Sequence, residues 1–144
     1  MIVNTAYIYM GSGGAQVNPN LWQDGGSNYP VVFQKGSSIS ADGLSLPKNG
    51  GAATFSELQL TGFNSLTLSI NTRVFIDIPI KIEFYNSADQ LLGTETVKFK
   101  GSPSGTPEPK TANIPSSAKV QNAKIKITNT SANISATLFS ALLS

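Results

Sequence analysis

The residues that most often carry out enzymatic chemistry are scarce in this sequence. Histidine and cysteine are both absent, which excludes a Ser-His-Asp triad, a Cys-His pair and a His- or Cys-ligated zinc site. Carboxylates alone can serve a glycosidase, and the candidate pairs are Asp77 with Glu83 and Glu57 with Glu95. The first pair lies on one predicted strand at a separation of about 20 Å, whereas paired glycosidase carboxyl groups lie about 5 to 10 Å apart. The sequence does not fix the separation of the second pair. Surface charge is the preferred interpretation of both, and we predict no enzymatic activity.

Ligands for a metal ion or a phosphate group are dispersed along the chain. The segment GSGG at residues 11–14 lacks the Lys and Ser/Thr of a phosphate-binding loop, and no helix is predicted after it. Calcium needs several converging oxygen ligands, but the aspartates lie singly in separate segments, at Asp24, Asp42, Asp77 and Asp89. No cofactor is predicted. A calcium site formed by loops that meet at one end of the fold is a minor alternative.

Aromatic and amide side chains in the first thirty residues form the clearest candidate for a ligand site. An aromatic ring offers a flat apolar surface on which a sugar ring can stack, while amides and carboxylates can bind the sugar hydroxyls. The candidates are Trp22, Tyr29, Asn20 and Asp24, with Tyr7, Tyr9, Asn18 and Gln23 as possible additions. The alternative interpretation, which carries more weight, is that Trp22 closes one end of the hydrophobic core.

Apolar and polar side chains alternate over residues 73–84, RVFIDIPIKIEF. Successive side chains of a strand point to opposite faces, so this pattern predicts one long strand with a single apolar face. The predicted inward residues are Val74, Ile76, Ile78, Ile80, Ile82 and Phe84. Pro79 cannot donate a ladder hydrogen bond, and we therefore expect an edge strand, or a bulge or bend at that residue.

The same alternation predicts further strands and little helix. The other residues predicted to face the core include Leu66, Leu68, Ile70, Ile125, Ile127, Ile134, Ala136, Leu138 and Leu142. With weaker segments the count is seven to nine strands, and no segment combines helix caps with a 3.6-residue apolar stripe. The predicted fold is all-β, an antiparallel β-sandwich with Greek-key or jelly-roll connections, in a single domain over residues 1–144. The proline-rich segment 101–117 is predicted to cross between the two sheets.

Three aromatic residues point away from the predicted core. By strand parity Phe75, Tyr85 and Phe139 face outward, and large rings on a sheet surface are typical of subunit interfaces. They are predicted to contribute to a homo-oligomer interface. The alternative is that the last strand pairs in the other register, which would bury Phe139.

Charge and hydropathy argue against nucleic-acid and membrane partners. Ten basic and eight acidic residues leave a net charge of +2, which is too small for strong electrostatic attraction to nucleic acid. Four lysines share outward strand parity, Lys98, Lys100, Lys124 and Lys126, a pattern typical of solubilised strands. No apolar run approaches the roughly 20 residues of a membrane span. The first residues lack the basic start of a signal peptide, so none is expected.

Three stretches carry a resemblance to a known family: NTAYIYMGSGG at the start, RVFIDIPIKIEFYNSADQLLGTETVKF in the middle and IPSSAKVQNAKIKITNTSANISATLF near the end. They resemble the small prophage-encoded proteins of Bacillus lytic cassettes, of the XepA/YomS type, along the whole chain. The resemblance implies a C2-like β-sandwich that assembles into a ring-shaped homo-oligomer, with a pentamer expected. It also implies a non-enzymatic accessory or structural role, in the host cytoplasm or associated with the phage.

A second function class competes with this expectation. The aromatic and amide residues near the start of the chain favour a carbohydrate-binding, lectin-like module of a phage tail or wall-targeting assembly. In that case the partner is a phage or cell-wall component rather than another copy of the chain.

Overall fold

Extended strands dominate the protein. The computed structural model describes residues 2–4, 18–23, 26–40 and 43–144, and within these ranges no helix is long and apolar enough to cross a membrane. One short 3-10 turn covers Ser116–Ala118. The strands, in chain order, are β1 (Ile2–Asn4), β2 (Asn20–Gln23), β3 (Gly26–Ser27), β4 (Val31–Gln34), β5 (Ser38–Ser40), β6 (Gly43–Leu46), β7 (Ala52–Leu58), β8 (Ser65–Asn71), β9 (Asp77–Tyr85), β10 (Leu91–Lys100), β11 (Glu108–Asn113), β12 (Ala123–Asn129) and β13 (Ala136–Leu143).

The strands form two layers in which every pairing is antiparallel. Sheet A has the order β1-β4-β7-β12-β9-β10. Sheet B has the order β11-β8-β13-β2-β3, and β6 pairs with β13 and with β5. The predicted antiparallel β-sandwich is confirmed, although short strands such as β3 and β5 raise the number above seven to nine. Because β10 belongs to sheet A and β11 to sheet B, residues 101–107 cross between the layers. The predicted crossing is confirmed for this part of segment 101–117, whereas Glu108–Asn113, predicted to belong to the connection, form β11.

Alternate residues of the two sheets pack into one apolar core. Most of the predicted inward residues of β8, β9 and β12 are fully buried there, namely Leu66, Leu68, Ile70, Ile78, Ile80, Ile82, Phe84, Ile125 and Ile127. Each such side chain contributes about 1.5–3 kcal/mol by leaving water. In these strands the apolar residues at every second position are therefore the ones that face the opposite sheet.

Strand β9 begins four residues later than the alternation predicts. Arg73 has a φ of 61°, a left-handed conformation that interrupts an extended strand. The chain consequently runs over residues 73–76 as a bend. Ile76 is 55% exposed and Val74 is only partly buried. The prediction that both face the core is wrong, because apolar alternation in sequence does not require continuous strand geometry.

Pro79 neither bends β9 nor places it at an edge. The strand lies between β12 and β10, and its pairing with β10 is regular from Ile78 to Phe84. The ladder with β12 ends at Ile80, opposite Asn129. Beyond that point the Pro79 carbonyl accepts hydrogen bonds from the Thr130 backbone N–H at 3.2 Å and hydroxyl at 3.0 Å. The N–H that proline lacks would point to the same side of β9 as this carbonyl, beyond the last paired residue of the β9–β12 ladder. Proline is tolerated there because no pair of the ladder needs that N–H.

The last strand changes its inward parity at a bulge. Pairing of β13 with β8 shifts between Leu138 and Ser140, so Phe139 is the extra residue. Ala136 and Leu138 are buried as predicted, but after the bulge Ala141 and Leu143 face the core. The predicted inward position of Leu142 is wrong, since that side chain is 38% exposed.

Candidate functional site

The sugar-stacking role predicted for Trp22 is corrected by its burial. Trp22 is 0% exposed and belongs to the core cluster. It lies in β2, opposite Ser27 of β3 and Ala141 of β13. Its ring has no face open to a ligand, so the alternative interpretation, in which Trp22 packs in the core, describes its position.

The neighbours predicted to accompany Trp22 hold the backbone together around β2. Tyr29 is partly buried and its hydroxyl donates to the Asn18 carbonyl at 2.6 Å. Burial raises the pKa of the Tyr29 hydroxyl, and the hydrogen bond to Asn18 opposes this. The Asn28 side-chain amide donates to the Asn20 carbonyl at 2.9 Å. Tyr29 and Asn20 therefore lie in one structural cluster, whereas Asp24, like Tyr7 and Tyr9, falls outside the described residues.

The three aromatic residues predicted as an oligomer interface lie on different surfaces. Tyr85 is in β9 of sheet A, Phe139 is in β13 of sheet B, and Phe75 is in the connection between β8 and β9. Tyr85 and Phe139 are each partly exposed, and Phe75 is 68% exposed. The three side chains cannot form one contiguous patch, so any interface that contains all of them uses several surfaces.

Tyr85 lies among charged groups on the outer face of sheet A. Its strand partner on β12 is Lys124, which forms an ion pair with Asp89 at 2.6 Å. The pKa of the Tyr85 hydroxyl is raised by desolvation, by its hydrogen bond with Glu83 and by the charges of Glu83 and Asp89. The four lysines predicted to face outward lie on strands of this sheet, β10 and β12.

The best candidate for a ligand site is the end of the sandwich that presents Phe75. This ring is the most exposed large hydrophobic side chain among the described residues. It belongs to the connection formed by residues 72–76, which packs against a second connection formed by residues 101–107. We call these two connections the β8–β9 loop and the β10–β11 loop.

A buried asparagine fixes the two loops relative to each other. Asn71, the last residue of β8, is 3% exposed. Its Oδ1 atom accepts hydrogen bonds from the backbone N–H of Arg73 at 3.3 Å and of Ser102 at 3.1 Å. One side chain therefore satisfies a donor in each loop. A buried amide that made no such bonds would be costly, so this pair of contacts favours a single loop arrangement.

Close backbone packing also holds the β8–β9 loop against the β10–β11 loop. A Cβ atom at Gly101 would lie 1.7 Å from Thr72 Oγ1 and 2.6 Å from the Val74 carbonyl oxygen, so only glycine permits this approach. The Thr72 hydroxyl donates to the Val74 carbonyl at 3.0 Å. Gly105, with a φ of 88°, lies against the Arg73 guanidinium. The exposed Phe75 thus projects from a backbone held by the neighbouring loop.

The β10–β11 loop carries a row of hydroxyl groups. Ser102 Oγ is hydrogen-bonded to Ser104 Oγ at 2.7 Å, and Ser104 Oγ is hydrogen-bonded to Thr106 Oγ1 at 3.1 Å. Each hydroxyl can still donate or accept further hydrogen bonds. The end of the sandwich therefore combines a flat apolar ring with several polar groups, which is an arrangement suited to a ligand that has both apolar and hydroxyl surfaces.

The sequence missed the groups that build this site. Asn71 is a single polar residue at the end of an apolar strand pattern, and Gly101 is one of several glycines. Their roles depend on contacts between residues about thirty positions apart, such as the 3.1 Å bond from Ser102 to Asn71. The proline-rich composition of residues 101–117 was the available signal, since it marks an extended connection.

The described residues contain no cluster of three or more acidic, histidine or cysteine side chains. Asp77 begins β9 and Asp89 follows its other end, so these two aspartates cannot share one metal ion. Asp24 and Asp42 fall outside the described residues. The described part of the chain thus offers hydrogen-bonding groups at the Phe75 end rather than an assembled metal centre.

Comparison with known proteins identifies the fold but no family. No family model and no curated protein matches the sequence. Among solved structures, the CBM36-1 domain of a multidomain xylanase from the hindgut metagenome of Trinervitermes trinervoides has a TM-score of 0.58 and 14% identity, covering 79% of this chain and 94% of that one. CBM29_1, a family 29 carbohydrate-binding module from Piromyces equi, has a TM-score of 0.59 and 12% identity, covering 86% and 87%.

A third similar structure is the carbohydrate-binding module CBM36 in complex with calcium and xylotriose. It has a TM-score of 0.53 and 19% identity, and the alignment covers 79% of this chain and 98% of that one. Identities at this level establish the fold alone. The chain therefore has a β-sandwich fold that it shares with several carbohydrate-binding modules.

Proposed function

We propose that this protein binds carbohydrate without cleaving it, and that Phe75 and the β10–β11 loop form the binding site. The observation that carries the proposal is the 68% exposure of Phe75 on a loop that Asn71 and Gly101 hold in place. Keeping a large ring in water forgoes about 1.5–3 kcal/mol of burial free energy. A ligand that covers the ring recovers this free energy on binding.

Carbohydrate fits the chemistry of this surface. A pyranose ring has an apolar C–H face that can stack on Phe75 and a rim of hydroxyls that can bond with Ser102, Ser104 and Thr106. Because the two loops are already fixed by internal hydrogen bonds, little conformational entropy is lost when a ligand binds. The shared β-sandwich fold of carbohydrate-binding modules supports the same proposal.

Removing the Phe75 ring tests the proposal. Phe75→Ala is expected to weaken binding to the preferred glycan about tenfold or more, because the contact between ring and sugar is worth roughly 1.5–3 kcal/mol when buried. Phe75→Tyr keeps the flat ring and is expected to retain most of the affinity. The measurement is a glycan array followed by calorimetry on the glycans that bind.

The control is Leu91→Ala, which removes another exposed apolar side chain, 54% exposed, from the first position of β10. This variant is expected to bind as the unaltered protein does. Equal affinity of Phe75→Ala and the unaltered protein would show that the binding site does not include Phe75. Absence of binding to any plant, fungal or bacterial wall glycan would refute the proposed function.

A ring-shaped homo-oligomer of a phage lytic cassette, located in the host cytoplasm or on the phage, is the second candidate function. The specific observation that favours it is the placement of Tyr85 and Phe139 on opposite sheets. Subunits in a ring contact their two neighbours through two different surfaces, whereas a two-fold dimer uses one surface twice. Partly exposed aromatics on opposite layers suit the first arrangement. The protein then acts through protein contacts.

Mixing two variants tests the ring. Light scattering of the unaltered protein is expected to give a defined multiple of the 15.1 kDa chain, with a pentamer expected. Tyr85→Ala and Phe139→Ala are each expected to prevent ring closure because each removes one of the two contact surfaces. An equimolar mixture retains one intact contact and is expected to stop at dimers. A monomer at all concentrations for the unaltered protein would exclude this candidate.

A further inference from the structure

The loops at the Phe75 end that the structure describes contain no acidic residue. The five described loops at this end are residues 35–37, 47–51, 72–76, 101–107 and 130–135, and they contain no Asp or Glu. They contain three cationic residues, Lys35, Lys48 and Arg73. We call this surface the basic end.

Strand pairing places these loops at the same end. In sheet B, Asn71 pairs with Thr137, and Leu46 pairs with Ala136 on the other side of β13. The chain therefore leaves β6 and β8 at the same level, toward Lys48 and Arg73 respectively. In sheet A, Gln34 pairs with Ala52, so Lys35 emerges beside the segment that contains Lys48.

Hydrogen bonds hold the loop that carries Lys48. The backbone N–H of Asn49 donates to the Ser131 carbonyl at 2.7 Å, and the backbone N–H of Lys48 donates to Ser135 Oγ at 3.3 Å. Buried Asn129 donates from Nδ2 to the carbonyls of Leu46 and Ile134 at 2.9 and 2.8 Å. These hydrogen bonds connect the loop that carries Lys48 to residues 129–135.

The two lysines are available to a ligand. Both are exposed, and Lys35 extends along residue Gly50, where a Cβ atom would lie 3.7 Å from its Nζ. Lys81 is paired with Glu83 and Lys124 with Asp89, on sheet A and its turn, and neither pair involves Lys35 or Lys48. Nothing in the described part of the chain neutralises either ammonium group.

Two carboxylates and one lysine border the basic end. Asp77 is the strand partner of Lys100, and Glu108 Oε1 accepts a hydrogen bond from the Lys100 backbone N–H at 2.8 Å. Asp77, Glu108 and Lys100 together carry a net charge of −1, which is smaller than the +2 of Lys35 and Lys48. At the opposite end of β9, by contrast, the ammonium of Lys124 is paired with Asp89.

We infer that the glycan bound at the Phe75 site is anionic, a polysaccharide that carries carboxylate or phosphodiester groups; this inference rests on the proposed function. The ring of Phe75 stacks on a sugar, and Lys35 and Lys48 contact negative groups farther along the same chain. A polymer is required because the two lysines lie on loops separate from that of Phe75. Acidic polymers release counterions when lysines bind them, so the affinity falls as salt is added.

The test compares Lys35→Gln/Lys48→Gln with the unaltered protein on three kinds of polymer. These are polygalacturonate, which supplies carboxylates, poly(glycerol phosphate), which supplies phosphodiesters, and a neutral xylan or glucan. Binding is measured by calorimetry over a range of sodium chloride concentrations. The control, Lys124→Gln/Lys126→Gln, makes the same change in net charge on β12 of sheet A, where Lys124 lies opposite Tyr85, the last residue of β9, at the end away from the basic end.

The unaltered protein is expected to bind at least one of the two acidic polymers, and the affinity is expected to fall steeply with salt. In Lys35→Gln/Lys48→Gln the slope of log affinity against log salt is expected to decrease by about 2, with at least a tenfold loss of affinity at low salt. The control is expected to retain both slope and affinity. Whichever acidic polymer shows this pattern identifies the anionic group.

Two results would overturn the inference while leaving carbohydrate binding intact. One is salt-independent binding of a neutral glycan that depends on Phe75. The other is an equal loss of affinity in the control, which would indicate unspecific attraction to the whole molecule. Failure to bind any glycan would instead refute the proposed function, and the inference would fall with it.

Discussion

Replacing Gly101 with alanine is expected to separate the two loops of the candidate site and to abolish glycan binding. The added Cβ would lie 1.7 Å from Thr72 Oγ1 and 2.6 Å from the Val74 carbonyl oxygen. The second contact is with backbone and cannot be relieved by a side-chain rotation. Overpacking of this kind costs about 1–3 kcal/mol, and the displaced segment includes the residue that precedes Phe75.

Gly62→Ala is the matched control for this experiment. A Cβ at Gly62 has no atom within 4 Å, so the same substitution is expected to leave both thermal stability and glycan affinity unchanged. Thermal denaturation and calorimetry on the preferred glycan provide the two readouts. If Gly101→Ala bound glycan normally, the contact between the two loops would have no role in the site.

The Asn129→Ala variant is expected to lose about 3 kcal/mol of stability. The Asn129 side chain is 0% exposed. It donates from Nδ2 to the carbonyls of Leu46 and Ile134, and its Oδ1 accepts from the Ser131 N–H at 2.9 Å. Truncation leaves these three backbone groups without their partner, and each buried unsatisfied group costs about 1–3 kcal/mol. Three such costs add up to at least about 3 kcal/mol. A loss of this size lowers the melting temperature by roughly 6–12 °C.

An exposed asparagine in the same loop provides the comparison. Asn133→Ala removes a side chain that faces solvent and is expected to change the melting temperature by less than about 2 °C. Chemical denaturation supplies the free energy of unfolding for both variants. Equal stability of Asn129→Ala and Asn133→Ala would show that the buried amide is not needed to hold loops 47–51 and 130–135.

Both experiments concern asparagine and glycine positions that a sequence pattern does not single out. The alternation of Ile78, Ile80, Ile82 and Phe84 was sufficient to identify a strand and its buried face, because every second side chain must meet the opposite sheet. It could not locate the start of that strand. The left-handed conformation of Arg73 ends the alternation in space while the apolar residues Val74 and Ile76 continue it in sequence.

The predicted ligand site at Trp22 shows the same limit of sequence-based prediction. A tryptophan beside several amides is compatible both with a sugar platform and with a core plug, and the composition around it does not distinguish the two. Burial depends on which strands lie on either side, here β3 and β13. Phe75, by contrast, was predicted to be exposed from strand parity and is exposed, although it lies on a loop and not on a strand face.

The sequence by itself determined the fold class, the two-residue period of the main strands and the lack of His- and Cys-based chemistry, because each depends on residue type or on neighbours close along the chain. Tertiary structure alone decided where parity reverses, as at Phe139, and which loops meet at the Phe75 end. It also decided which residues hold neighbouring loops together. Asn71, Gly101 and Asn129 act across the sandwich through backbone groups that are distant in sequence, so their roles exist only after the two sheets have paired.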